Sequence, residues 1–156
     1  MKRILSLSII VLFAAFSMNA CKSKKDNKTT NVATNVTQNE NNPQNLEGRW
    51  TLVKFVANPD LENEGGKEVF LVLKPSTMEM TGNTGCNAMF GSYKADKSSL
   101  TFGGIGATEM YCEGVKTEQP LMQALDKTDS YNIIADKLIL AAGAEQLAIF
   151  RRSAEE

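Results

Sequence analysis

The 156-residue sequence contains no histidine. That one absence removes Ser-His-Asp and Cys-His nucleophile systems, His-containing zinc sites and the commonest general base together. Cysteine is scarce too. Cys21, Cys86 and Cys112 form no Cys-x-x-Cys arrangement, so a redox catalyst with a low-pKa thiolate is not expected. Positive charge is not in excess: residues 46–156 carry 11 Lys and Arg against 16 Asp and Glu, a net charge of −5. An acidic domain with no basic stripe argues against nucleic-acid binding. The glycine run Gly103-Gly104-Ile105-Gly106 lacks the Lys-Ser/Thr of a phosphate-cradling loop.

What is present begins with a leader. Lys2 and Arg3 precede a largely apolar run over residues 4–16, and Met18-Asn19-Ala20 then lead into Cys21. At roughly 20 Å as a helix the run is too short to span a bilayer and fits a secretory h-region, making residues 1–20 an expected signal peptide. A small residue before a cysteine, followed by polar sequence, resembles a bacterial lipoprotein signal. The resemblance implies lipidation of Cys21 and a membrane anchor at the cell envelope, with the outer membrane, on its periplasmic or surface face, the expected location. The alternative is an ordinary signal peptide cleaved after Ala20.

Residues 21–45 are expected to be a lipid-anchored disordered tether. Residues 22–45 hold seven Asn and no aromatic residue, so they cannot bury enough apolar surface to offset the entropy of ordering. Lys22, Lys24, Lys25 and Lys28 follow the anchor and read either as contacts to acidic lipid headgroups or as a solvated linker. Residues 46–156 then form one domain, large enough for a modest core.

Within that domain, strands are expected over residues 46–56, 68–74, 77–81, 88–94, 100–102, 107–111, 130–135, 137–142 and 146–151. The period of two places Met78 and Met80 on one buried face. Residues 117–127 break the rhythm: Thr117 can cap a helix, Glu118 suits its first turn, and Pro120 is tolerated only there. The fold class that follows is α+β and mainly antiparallel, a curled sheet, roll or small barrel with one short helix.

Few chemical motifs survive inspection. Glu109 and Glu113 could pair for carboxylate-only hydrolysis but read better as a solvated face. The acidic stretch at residues 60–65 echoes a calcium loop, yet position twelve is Leu71, inside an expected strand. No metal and no cofactor is expected. Met78, Met80, Met89, Met110 and Met122 suit either an adaptable apolar pocket or core filling. Gly82, Gly85 and Gly91 with Asn83 and Asn87 mark a tight connection. Cys86 and Cys112 are the cysteines left once Cys21 is lipidated. They form either a disulfide permitted by export or two buried thiols.

The stretch Gly82-Asn83-Thr84-Gly85-Cys86-Asn87, with Gly91-Ser92-Tyr93 four residues on, resembles the META domain family, the heat-inducible HslJ-like lipoproteins. Thr108-Glu109-Met110-Tyr111-Cys112 is similar to that family's Thr-x-Met-x-Cys, and Glu118 stands where the family places an acidic residue before a helix. The resemblance covers residues 46–152. It marks Gly82, Gly85, Cys86, Asn87, Gly91, Tyr93, Thr108, Met110, Cys112 and Glu118, and it implies a small β-rich envelope domain with no catalytic activity. The expected function is binding of an envelope partner or support of envelope integrity under stress. The alternative is a binding module for a small apolar or lipid-like ligand within the curl.

Overall fold

The computed structural model describes residues 41–61 and 66–154. The signal segment, Cys21, the lysines after it, most of the tether and the larger part of the acidic 60–65 stretch lie outside the described residues.

Eight antiparallel strands make one sheet: β1 (Gly48–Phe55), β2 (Val69–Lys74), β3 (Glu79–Thr84), β4 (Ala88–Ala95), β5 (Leu100–Ala107), β6 (Ser130–Ile134), β7 (Lys137–Ala142) and β8 (Glu145–Ser153). Their spatial order is β5-β4-β3-β2-β1-β8-β7-β6. Helix α1 (Glu118–Lys127) crosses from β5 to β6, the two edge strands. Those edges meet: Ser99 and Ser130 form a β-bridge, Leu100 N donates to Asp129 O at 3.1 Å, and Tyr131 N donates to Ser98 O at 3.3 Å. Twist accumulated over eight strands has curled the sheet until its ends touch. The expected curled antiparallel sheet with one short helix is therefore what forms.

Alternation writes the core. Val69, Leu71 and Leu73 of β2 point inward while Phe70 and Val72 are half-buried on the other face. Trp50, Tyr131, Phe150, Leu71, Leu73, Met80, Leu100 and Leu138 are fully buried and fill the inside of the curl. Leu121, Ala124 and Leu125 give α1 its buried face. Each large aliphatic side chain removed from water contributes about 1.5–3 kcal/mol to holding the curl together.

Several local expectations are corrected. Residues 100–102 and 107–111 are not two strands: the first, together with the glycine run 103–106 and Ala107, is β5, and residues 108–111 lie outside it. Pairing with β4 overrides the poor strand propensity of glycine, and the small residue has a use, because a Cβ on Gly106 would lie 2.8 Å from the Phe90 ring. Met78 does not share a buried face with Met80. It sits in the β2–β3 turn with φ +57° and is exposed, whereas Met80 is buried. Thr117 makes no side-chain cap on α1; its hydroxyl donates instead to Thr84 O at 2.6 Å.

The folded body also starts ahead of Leu46. A one-turn 3-10 helix, Pro43–Leu46, precedes β1. Asn41 lies against the outer edge of β6, beyond the Ser99–Ser130 bridge, where its Oδ1 accepts from Ile133 N at 2.8 Å and its Nδ2 donates to Tyr131 O at 2.9 Å. A side-chain amide thus stands in for a peptide unit of a neighbouring strand and blunts that edge. Arg152 holds the 3-10 turn from the other side: it donates to Glu47 O and Asn45 O, each at 2.6 Å, and stacks on the Trp50 ring at 4.2 Å.

Candidate functional site

The residues marked by the motif divide into two groups. Gly85, Cys86, Asn87, Thr108, Met110, Cys112 and Glu118 come together at one end of the sheet, around the connection from β5 to α1. Gly82, Gly91 and Tyr93 lie within β3 and β4 and serve the fold.

The glycines act through space and backbone shape. A Cβ on Gly82 would lie 2.2 Å from the Phe70 carbonyl oxygen, so β2 and β3 could not pair as they do. Gly85, with φ +102°, turns the chain out of β3 so that Cys86 and Asn87 face the β5–α1 connection. Asn83 Oδ1 accepts from Gly85 N at 2.8 Å and steadies the same turn.

Asn87 is the hub and is buried. Its Oδ1 accepts from Met110 N at 2.7 Å and from Thr108 Oγ1 at 2.9 Å. Its Nδ2 donates to Glu118 Oε2 at 2.7 Å and to Met110 O at 3.2 Å. Both lone-pair positions and both protons of the amide are thereby used. Thr84, also buried, donates its hydroxyl proton to Glu118 Oε2 at 2.6 Å and accepts from Asn87 N at 3.0 Å. Thr84 carries no motif signal of its own beyond being a hydroxyl residue in an Asn- and Gly-rich turn, where such side chains bond nearby backbone. Glu118 opens α1, so its negative charge also lies at the favourable end of the helix dipole.

The cysteines reinforce the same junction. Cys86 and Cys112 lie at bonding distance with Cα atoms 5.8 Å apart, the spacing that a disulfide requires. The connection over residues 108–117 is therefore fastened at its start by Thr108 N on Ala88 O at 3.0 Å, in its middle by Asn87 and Cys86, and at its end by Thr117 on Thr84. A cleft of about 190 Å3 runs beside it, between Met110, Tyr111 and Val115 on one side and Asn87 and Glu118 on the other.

Tyr93 is a core residue. Its ring packs against Phe102 with centroids 6.3 Å apart, and its buried hydroxyl has no hydrogen-bond partner among the described residues. Burial first, then the charge of Glu47, pushes its pKa up to about 12. The five methionines do not assemble a pocket: Met80 and Met89 are core, Met78 and Met110 are exposed, and Met122 borders an open groove of about 470 Å3 between β5 and α1. Glu109 and Glu113 are exposed. Among the described residues no group of three or more His, Cys, Asp or Glu is placed to hold a metal ion, and no helix is long and apolar enough to cross a membrane.

A small curled antiparallel sheet, one crossing helix and a fastened β5–α1 connection define a compact β-rich module built around this junction. The META domain family model matches residues 44–155, and the chain belongs to that family. Among solved structures, an NMR structure of a protein from Burkholderia xenovorans is similar at 26% identity with a TM-score of 0.56, covering 77% of this chain and 94% of that one. A crystal structure of a DUF4847 family protein from Bacteroides vulgatus shares the fold at 18% identity with a TM-score of 0.50, over 71% of this chain and 96% of that one. No curated protein matches the chain.

Proposed function

We propose that this META domain protein is a non-catalytic lipoprotein of the bacterial envelope, moored through Cys21, whose domain docks another envelope protein. One observation carries the reading: apart from the exposed Met110, the motif side chains that converge are spent on fastening a loop. The Asn87 amide is saturated, the Thr84 and Thr108 hydroxyls donate inward, and the two sulfurs face each other at bonding distance. Such a junction presents a surface segment of fixed shape, which is what recognition needs. The leader and Cys21 supply the mooring.

The small-ligand alternative has less in its favour. The inside of the curl is filled by Trp50, Tyr131, Phe150 and their neighbours, and the groove of about 470 Å3 beside α1 is open and bordered by Gln119, Gln123 and Asp126 as well as Met122.

Two measurements test the proposal. Mass spectrometry of the mature N-terminus should find Cys21 acylated, and a free thiol or an uncleaved leader would overturn the anchor. Affinity capture of the lipidated protein from membranes should retain an envelope protein that the Cys21→Ala variant loses. Recovery of the same protein by the unanchored variant from cytoplasm would overturn the envelope role.

A further inference from the structure

Tyr111 is the residue that the fold explains least. It is 91% exposed, yet it lies between Met110, whose N–H and C=O both bond to the Asn87 side chain, and Cys112, which faces Cys86 at bonding distance. An aromatic ring is thus held out in water on backbone that is fixed on both sides. Met110 beside it is 53% exposed and touches the fold's polar network through its backbone rather than its side chain. Neither side chain contributes to the core. Phe90, 58% exposed, stands two residues along β4 from Ala88, whose carbonyl holds Thr108 N at 3.0 Å, so a third large apolar side chain lies on the neighbouring segment.

The charges along residues 108–118 are mainly acidic, with Lys116 the one cation against Glu109, Glu113 and Glu118. Glu109 and Glu113 flank Met110, Tyr111 and Cys112, both exposed, and Glu118 stands on the wall of the cleft of about 190 Å3 beside them. The domain as a whole is acidic, with a net charge of −5 over residues 46–156. A membrane rich in acidic headgroups would repel this surface, and a second copy of the chain would bring like charge against like. A protein with an apolar pocket and cationic rim would meet both features at once: tyrosine offers large contact area at low entropy cost, methionine adapts to a pocket, and rim carboxylates select complementary charge.

We infer that Tyr111, with Met110, is the anchor by which this domain docks on its partner protein, entering an apolar pocket whose rim carries Lys or Arg side chains opposite Glu109 and Glu113. The inference rests on the partner-docking reading above and names the surface and the chemistry of the partner. Because the tip is fastened before the encounter, little ordering entropy remains to be lost on binding.

The test is photo-crosslinking in cells, with a benzophenone amino acid at position 111 of the full-length lipidated protein and, as control, at the exposed Lys137 in the β6–β7 hairpin. Expected is one adduct specific to position 111, whose mapped peptide carries Lys or Arg beside apolar residues. With the purified crosslinked protein, Tyr111→Ala should weaken binding on the order of 30-fold, the scale of an interface hot spot. Glu109→Gln with Glu113→Gln should weaken it several-fold at low salt and much less at high salt. Unchanged thermal melting of Tyr111→Ala assigns any loss to the surface, since that side chain supports nothing inside. Adducts to lipid, to a second copy of the chain or to an acidic peptide would overturn the inference, as would equal adducts at positions 111 and 137. If membrane capture still finds an anchored partner while Tyr111→Ala binds it undiminished, docking lies elsewhere and only the surface assigned here fails. If anchored capture finds no partner, the broader reading fails with it.

Discussion

Replacing Asn87 by aspartate and by alanine tests whether its amide is needed as donor and acceptor at once. Asn87 is 2% exposed and makes four side-chain hydrogen bonds, two at Oδ1 and two at Nδ2. Each bond contributes about 1 kcal/mol net, and water can reach the exposed Thr108 and Met110 once the amide is gone, so Asn87→Ala should cost about 2–3 kcal/mol. Asn87→Asp keeps the shape and the Oδ1 acceptor but sets a carboxylate oxygen where the donor stood, 2.7 Å from Glu118 Oε2. Like charges that close, and largely out of water, should make it worse than alanine by about 1–2 kcal/mol at pH 7. The repulsion raises the introduced carboxylate above its usual pKa of about 4. The unfolded chain then releases that proton first, so stability falls as pH rises from about 4 toward the raised value, and the excess deficit shrinks again on acidification. Urea unfolding followed by fluorescence of Trp50, the single tryptophan and fully buried, measures both variants at pH 7 and pH 4. An aspartate variant as stable as the unsubstituted protein at pH 7, or one whose excess deficit persists unchanged at pH 4, refutes the reading of Asn87 as donor to Glu118.

The Cys86–Cys112 pair spans a sequence separation of 26, so its bridge should stabilise the domain by about 3–4 kcal/mol by the loop-entropy argument; non-reduced peptide mapping should find the linked peptides, and reductant should lower the urea midpoint. Gly82→Ala forces a methyl within 2.2 Å of a backbone oxygen that cannot move without unpairing β2 from β3, and should cost more than about 3 kcal/mol or prevent folding, as read by circular dichroism. Tyr93→Phe removes a buried hydroxyl with no partner among the described residues and should leave stability unchanged or raise it by up to about 1 kcal/mol. Because the folded-state pKa of Tyr93 lies near 12 against about 10 unfolded, stability is fully present below pH 10 and falls as pH rises toward 12; alkaline unfolding curves should fall less steeply for the phenylalanine variant.

How far the sequence was legible follows from which interactions are local. β2 and the helix are marked by side-chain pattern alone, because Val69, Leu71 and Leu73 alternate and Leu121 and Leu125 sit one helical turn apart. The run 103–106 reads as a turn because glycine has no side chain to report a face, and it becomes strand only through its partner β4. Thr117 has the right residue type for a cap, yet its hydroxyl is claimed by Thr84 O, 33 residues away in sequence. Asn41 sits in Asn-rich sequence that reads as tether, and only the outer edge of β6 gives its amide a place. Each of these departures is a long-range contact overruling a short-range preference.

The junction around Asn87 was visible as a turn motif and, through the family resemblance, as a set of positions, but its wiring was not. What the wiring adds is a separation between side chains the fold needs and those it does not. Gly82 and Gly85 are required by space and backbone shape, Asn87 and Glu118 by the polar network, Cys86 and Cys112 by the closure of the loop, and Tyr93 by the core. Met110 takes part through its backbone alone, a role any residue but proline could fill, and Tyr111 projects into solvent. Folding therefore gives no physical reason for methionine and tyrosine at these two places. The docking inferred above would supply one, because an exposed aromatic on immobilised backbone, flanked by carboxylates, has the chemistry of a surface made to be covered.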